Sequence, residues 1–425
     1  AYNVTASSGA LTSVTFALSN LDVTAPSVIL STLSTATVPD QTFAVTAIFS
    51  EPVDGFTSTD VAVTNGNATA LSGSGASYVI TISPTGGGET SVSVPANVAQ
   101  DASGNDNLAS NTLSIQSNTV TETTRVLTRF IERRAGLLLG SQPSLTGFLS
   151  GNTSSLFNAN ITSSQGSFKF SSSPKSAIWT SFQGSMAKDD DTESAYFLGA
   201  VGAHVKLNQN LLGGVLLEYD YLEQDTGASN VTGHGWMVGP YMVTKIPNKD
   251  LYFEGRLLYG QSSNEISPFG TYTDSMSTER FLAMMKISGD VQYRVTTLTP
   301  KLQLSYASED QDAYKDSLGN EIPSQGVALR ELEIGLDFAT EASFPQASGE
   351  LTLTGGVSAI SSDMTYSGAA SETSGGSGGP RARVNLGFNY RLSDQGLIIF
   401  DTYYDGLGLS DYESYGLKIG MKLEF

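Results

Sequence analysis

Residues 415–425 alternate without a break: Tyr415, Leu417, Ile419, Met421, Leu423 and Phe425 fall on one face, and Gly416, Lys418, Gly420, Lys422 and Glu424 on the other. A strand repeats every two residues, so charges confined to one face mean that this face is wet while the other meets an apolar medium. A water-soluble sandwich can produce the pattern once, but here it recurs. Candidate strands lie at roughly 177–187, 194–207, 211–223, 232–246, 250–261, 277–293, 297–308, 327–340, 348–360, 380–392, 396–405 and 413–425. These are about twelve segments, an even number, each long enough for a tilted membrane strand of roughly 9–11 residues. No stretch approaches the roughly 18 apolar residues of a transmembrane helix, and the apolar patch at 137–139 is far too short. Inside lipid the backbone must satisfy its own hydrogen bonds, so the remaining spanning structure is a closed β-barrel.

The connections support an up-and-down order. Short turns fall at 208–210, 247–249, 294–296 and 393–395, with a slightly longer one near Pro345, while long polar stretches fall at 261–276, 309–326 and 361–379. Loops at one end and turns at the other are what a barrel with both chain ends on one side of a membrane requires.

Charge divides the chain into parts. Residues 1–120 contain no lysine or arginine; Arg125, Arg129, Arg133 and Arg134 then arrive together, and from about Lys175 both signs are interspersed. The net charge of -20 argues against nucleic acid as a partner, because phosphate binding needs a basic surface. Cysteine is absent, which excludes a disulfide framework and thiolate metal sites. The sequence begins at Ala1 without an initiator methionine, as expected after removal of a signal peptide or within the tail of a longer product.

The basic-free part reads as all-β, with short β-branched runs at 27–33, 42–49, 61–63, 77–82 and 90–94 separated by Gly, Asn, Pro or Asp. That spacing suggests a sandwich. Residues 22–118 resemble a bacterial immunoglobulin-like repeat of large surface adhesins. The resemblance rests on the entry Asp22, Val23, Thr24, Ala25, Pro26; the strand end Phe49, Ser50, Glu51, Pro52, Val53; the run from Gly73 to Tyr78; and the exit Asp101, Ala102, Ser103, Gly104, Asn105. Residues 1–21 look like the end of a preceding copy. Asp22, Asp101, Asn105 and Asp106 fall where successive units would join. They read as solvated acidic turns or, alternatively, as a hard oxygen cluster for calcium, the one cofactor this sequence suggests.

Within a linker of residues 119–140, residues 121 to about 139 are the one convincing helix, with Thr121 as cap and Gly140 and Pro143 as its end. Arg125, Arg129 and Arg133 recur at i, i+4 and i+8 and form a basic stripe, while Val126, Phe130, Leu137 and Leu138 fill much of the rest. An isolated helix of this kind would simply solvate its stripe. Residues 141–174 are polar and rich in Ser and Asn; a loop, an extra hairpin and packing inside the barrel are all compatible with them.

A helix followed by a terminal barrel of about twelve strands (175–425) looks like a type Va autotransporter. The resemblance covers 121–425, and its sharpest match is Lys418, Gly420, Leu423 and Phe425, which fit the terminal signal read by the outer-membrane assembly machinery. It implies an outer-membrane location with residues 1–118 outside the cell as passenger stalk, a monomeric barrel in lipid, and a helix threaded through the pore. The expected fold is therefore all-β: a 12-stranded antiparallel transmembrane β-barrel with a pore-threading α-helix and an N-terminal immunoglobulin-like sandwich. On the lumen face the alternation places Glu218, Asp220, Glu254, Glu331, Glu333, Asp337 and Asp401, with Lys206, Arg256, Lys286, Arg381 and Arg383, so the arginine stripe meets an acid-rich wall. Some relatives cut their passenger at an asparagine of this helix; here residues 119–140 contain none, and the passenger is expected to stay attached.

The function expected is export and surface display of an adhesive passenger, whose ligand the sequence does not name; the alternative is a diffusion porin carrying a surface domain. Catalysis is not expected: the two histidines, His204 and His234, lie on different strands and there is no Gly-x-Ser-x-Gly elbow. Trp179 and Trp236, with Tyr219, Tyr221, Tyr259, Tyr403 and Tyr404, are expected to form interfacial girdles.

Overall fold

The computed structural model describes residues 2–18, 22–85, 88–150, 157–161, 165–171, 177–189, 192–342, 350–373, 379–393, 396–407 and 414–423. The chain divides into two compact units, residues 1–120 with 318–320, and residues 121–317 with 321–425.

In the first unit a hairpin of β1 (Tyr2–Ala6) and β2 (Val14–Leu18) precedes the sandwich strands β3 (Val28–Ser31), β4 (Phe43–Val53), β5 (Ala62–Thr64), β6 (Gly66–Pro84), β7 (Thr90–Ser93) and β8 (Leu113–Ile115). One sheet has the order β3-β4-β6 and the other β5-β7-β8. Alternating residues of both sheets, among them Val45, Ala47, Phe49, Ile80, Ile82, Val92 and Val94, are buried in one core. Phe49, Phe56 and Tyr78 meet edge to face, and the Tyr78 hydroxyl donates to Val53 O at 3.0 Å, which satisfies its one buried polar group.

The second unit holds all but the first two residues of α1 (Thr119–Gly140) and a short α2 (Gly147–Ser150). The helix begins two residues before the expected cap: Ser117 Oγ accepts the Thr119 N–H at 3.2 Å, so Thr121 lies inside the first turn. The strands are β9 (Phe157–Ile161), β10 (Gln165–Ser171), β11 (Ile178–Asp189), β12 (Thr192–Asn208), β13 (Leu211–Thr226), β14 (Ser229–Lys245), β15 (Leu251–Ser267), β16 (Asp274–Gly289), β17 (Val291–Tyr293) and β18 (Thr296–Gln311). They continue as β19 (Tyr314–Lys315), β20 (Glu321–Ile322), β21 (Gln325–Ala342), β22 (Glu350–Gly368), the short α3 (Ala370–Thr373), β23 (Pro380–Ser393), β24 (Gly396–Leu407) and β25 (Ser414–Leu423).

All neighbours in this sheet pair antiparallel, in the order β16-β15-β14-β13-β12-β11-β10-β9-β25-β24-β23-β22-β21-β18-β17. β16 also pairs with β18, and β25 pairs with β9 through Lys418↔Asn160, Ile419↔Ala159 and Gly420↔Asn158, so the pairings return to their starting strand. The twelve expected strands are β11 to β16, β18 and β21 to β25. Two shorter strands, β9 and β10, come from the undecided 141–174 segment, which therefore supplies an extra hairpin between β11 and β25.

The strands also run well into the expected long loops. β15 and β16 remain paired out to Ile266↔Asp274, and β18 and β21 out to Gln311↔Gln325. Length is the reason: β22 has 19 residues, about twice what a membrane strand needs, and the surplus continues the hairpins past the apolar belt. At the other end, Asn248 and Arg294 take positive φ (61° and 56°) in the tight turns, one of them a site where Asn is at home and Arg is not. The expected turns near Pro345 and Asp394 lie outside the described residues.

Candidate functional site

Alternation along the strands gives the barrel a lumen lined by Leu216, Glu218, Asp220 and Leu222 of β13, Tyr241 of β14, and Glu254, Arg256 and Leu258 of β15, all buried. The outward positions of the same strands, such as Val215, Leu217, Tyr219, Val238, Leu257 and Tyr259, are apolar or aromatic and exposed.

Helix α1 lies within this lumen. Thr128 Oγ1 donates to Gln325 Oε1 on β21 at 2.9 Å, Arg133 Nη2 reaches Ser194 Oγ on β12 at 3.2 Å, and Arg134 reaches β13, β15 and β18. β12 and β21 sit on opposite arcs of the ring, so one helix can touch both only from inside. Its apolar residues Val126, Leu127, Phe130, Ile131, Ala135, Leu138 and Leu139 are buried, as are Thr123, Thr124 and Thr128.

The expected basic stripe is not what holds the helix. Arg125 pairs with Glu122 one turn earlier on the same helix, Arg129 is exposed, and Arg133 donates to Ser194. The anchoring residue is Arg134, whose side chain is fully buried. Its Nε donates to Asp220 Oδ2 at 2.8 Å, and its Nη1 donates to Asn264 Oδ1 at 2.8 Å and to Glu309 Oε1 at 3.3 Å. Arg280 of β16 pairs with the same two acids, with Nη1 2.5 Å from Asp220 Oδ1 and Nε 3.5 Å from Glu309 Oε2. Asp220 was an expected partner; Arg280, Glu309 and Asn264 were missed. Glu309 falls in the expected 309–326 loop, whose first residues in fact continue β18. A signal for Arg134 did exist, since Val126, Phe130 and Arg134 form one i, i+4 row and an apolar row ending in arginine is unusual.

Two glycines of β14 make this approach feasible. A Cβ on Gly233 would stand 2.8 Å from the Phe130 ring and 3.1 Å from Arg134 Nη1, and one on Gly235 would stand 2.9 Å from Arg134 Nη2. The bare backbone at both positions opens a lane for the helix.

Past the helix the chain stays in the lumen. Gln142 Nε2 donates to Glu218 Oε2 at 3.0 Å, and Arg256 donates to Gln142 Oε1 at 2.9 Å and Pro143 O at 2.6 Å. Glu254 Oε2 accepts the N–H groups of Leu145 and Thr146, both at 2.9 Å, while its Oε1 takes Arg256 Nη2 at 3.0 Å. Phe148 of α2 then packs on Trp179 and His204, with ring centroids 5.3 and 4.8 Å away.

The remaining expected lumen acids do not reach the helix. Glu331 pairs with Arg381 at 3.1 Å, Glu333 and Asp337 share Lys301 at 3.1 Å each, and Asp401 accepts from Thr354 at 3.2 Å. Glu331, Glu333 and Asp337 are thus taken by cations of the strands. Of the expected basic residues, Arg383 and Arg381 both pair with Asp405, and Lys286 reaches Ser144 at 3.2 Å. Lys206 lies at the exposed end of β12.

Trp179 corrects the girdle reading. It is 3 % exposed, faces inward and donates to Tyr241 Oη at 2.8 Å, whereas Trp236, Tyr219 and Tyr259 face outward. Tyr403 and Tyr404 are adjacent on β24 and so take opposite faces; Tyr403 shares that of Asp401 and Asp405. His204 Nδ1 lies 2.9 Å from Tyr241 Oη inside the lumen, while His234 lies outside beside Tyr219. Lys418, Gly420 and Leu423 of the expected assembly signal fall on β25, opposite Asp401, Ile399 and Gly396 of β24, and Phe425 lies outside the described residues.

In the first unit, carboxylate oxygens of Asp22, Glu51 and Asp101 come within 4.8 Å of one another. Glu51 was not foreseen. Asp106 turns away to accept from Gln100 at 2.8 Å, and the Asn105 amide donates to Asp101 at 2.8 Å and to Asp22 O at 3.1 Å. Loss of hydration, then repulsion from Asp22 and Asp101, pushes the Glu51 carboxyl above its usual range. Asp101 moves the other way, lowered first by the Asn105 side chain and then by the Asn105 backbone N–H.

A family model described as an autotransporter beta-domain matches residues 178–400, more than half of the chain, and one described as a bacterial Ig-like domain matches residues 22–117. No curated protein matches. Among solved structures, the chain is similar to the translocator domain of the autotransporter NalP from Neisseria meningitidis (14% identity, TM-score 0.44, covering 72% of this chain and 99% of that one). It is also similar to the transport unit of AIDA-I from Escherichia coli (13%, 0.42, 72% and 98%) and to the beta domain of the Bordetella autotransporter Brka (14%, 0.41, 62% and 100%). The chain belongs to the autotransporter beta-domain family and is a type V secretion translocator of the outer membrane that carries a bacterial Ig-like domain.

Proposed function

We propose that the barrel serves as export route and then as anchor, holding the immunoglobulin-like unit outside the cell as the stalk of an adhesive passenger, with α1 as the resting plug of the pore. The observation that carries this reading is the buried contact of Arg134 with Asp220, Asn264 and Glu309. A helix that merely adjoined the barrel would have no reason to desolvate an arginine, because a buried pair gains little net stability and mainly fixes geometry. The passenger remains attached, since α1 holds no asparagine whose cyclisation could cut the chain. The assembly machinery of the outer membrane is the partner suggested by β25 and the terminal residues.

Single-channel conductance in a planar bilayer tests the plug. The intact chain is expected to conduct weakly, and a variant lacking residues 121–139 more strongly. A large, steady conductance from the intact chain would favour a diffusion porin with a surface domain instead.

A further inference from the structure

We infer that the barrel wall carries a preformed receptor for one guanidinium group, made by Asp220, Glu309 and Asn264 beneath Gly233 and Gly235, which Arg134 fills at rest and which accepts a guanidinium ion when Arg134 is absent. The proposal deepens the plug reading and rests on it for its biological role.

Each wall residue also has partners within the wall, independent of the helix. Arg280 holds Asp220 through its Oδ1 at 2.5 Å. Glu309 Oε1 accepts from Ser262 Oγ at 3.1 Å and from Thr278 Oγ1 at 2.7 Å. The Asn264 amide donates to Ser262 Oγ at 2.9 Å, which turns its Oδ1 toward Arg134. The receptor therefore keeps its shape if the helix is removed, and preorganisation of this kind is what lets a small ion bind.

Charge points the same way. Asp220 and Glu309 bring two negative charges and Arg280 one positive, so the wall alone holds one uncompensated negative charge in a buried place, which strongly favours a cation there. Geometry then selects among cations. The acceptors are spread over three strands and meet a planar fork at Nε and Nη1, whereas an ammonium offers a single nitrogen. Residues 1–120 contain no arginine or lysine, so none of their side chains can occupy the receptor on the way through; Arg134 belongs to the arginine-bearing helix that follows them.

The test compares the whole chain with R134A in detergent micelles, titrated with methylguanidinium chloride at millimolar, non-denaturing concentrations, with sodium chloride and methylammonium chloride as controls. Methylguanidinium is expected to raise the melting temperature of R134A saturably by about 2–4 °C, to leave the intact chain unchanged, and to have no effect on R134A carrying D220N and E309Q. No saturable shift in R134A, an equal shift with methylammonium, or an equal shift in the triple variant would overturn the receptor. If R134A does not fold, the same titration is made on the variant lacking residues 121–139. Conductance of that variant judges the plug separately: a deletion that fails to open the pore rejects the plug, while the melting shift still decides the receptor.

Discussion

Thr146 donates twice to Glu254 inside the barrel, from its backbone N–H at 2.9 Å and from its hydroxyl at 2.7 Å. The residue lies six positions beyond the end of α1, so the lumen is occupied by two elements in series rather than by the helix alone. Deleting residues 121–139 should therefore open the pore only in part, and deleting 121–150 should raise single-channel conductance further. Equal conductance of the two variants would count against the second obstruction.

The four arginines of the helix should differ sharply in what they contribute. Arg125 is partly exposed and pairs within its own helix, and Arg129 is exposed, so R125A and R129A should change stability by less than about 1 kcal/mol. R134A leaves Asp220 and Glu309 short of a buried partner and should cost about 3–5 kcal/mol. Thermal unfolding in micelles measures both, and an R129A variant as unstable as R134A would restore the stripe as the anchor.

Trp179 and Gly202 are directly paired across β11 and β12, and the indole lies over the glycine, where a Cβ would stand 2.3 Å from the ring. G202V should displace Trp179 and break its hydrogen bond to Tyr241, costing about 1–3 kcal/mol as an overpacked core site. A203V, on the adjacent exposed position, should cost little. Near-equal melting temperatures for the two variants would contradict this account.

Glu51 should act as a liability of the immunoglobulin-like unit at neutral pH. Its folded carboxyl titrates above the unfolded value, so the stability it contributes is present at low pH and lost as pH rises through the folded value. E51Q should melt higher than the parent at pH 7, with the gap closing as the pH falls toward 4, where Glu51 is protonated. Calcium should also narrow the gap at pH 7 by supplying counter-charge to Asp22, Glu51 and Asp101. The first melting transition of the whole chain in micelles is the readout, and a gap unchanged by both acid and calcium would reject the repulsion.

Asp101 should oppose this trend. Its carboxyl is lowered by the Asn105 amide, so its contribution is present above the unfolded value and lost as pH falls through the folded one. N105A should therefore weaken the unit more at pH 7 than at pH 3, as followed by the same transition.

The inward direction of Asp220, Glu218 and Glu254 was legible in the sequence because strand periodicity is local: once lipid fixes one face, every second residue follows. The extent of the helix was legible for the same reason, to within two residues at its start. The lengths of β18 and β22 were not, since polar residues above the membrane give no local sign of whether a strand continues or a loop begins; cross-strand partners decide that.

The sequence by itself determined a wall with two faces, a single arginine-bearing helix, and a long preceding stretch without any basic residue. Only the tertiary structure decided which arginine is buried. Arg134 and Asp220 are 86 residues apart, and the rotation of α1 about its axis depends on the Gly233 and Gly235 lane, on Phe130 beside it, and on Glu309 from yet another strand. The inward face of Trp179 follows from the period of β11, which turns Ile178, Phe182 and Met186 outward, but the floor under its ring and the acceptor for its N–H come from Gly202 and Tyr241 of other strands. Such contacts join distant segments, and a period read along one segment carries no information about them.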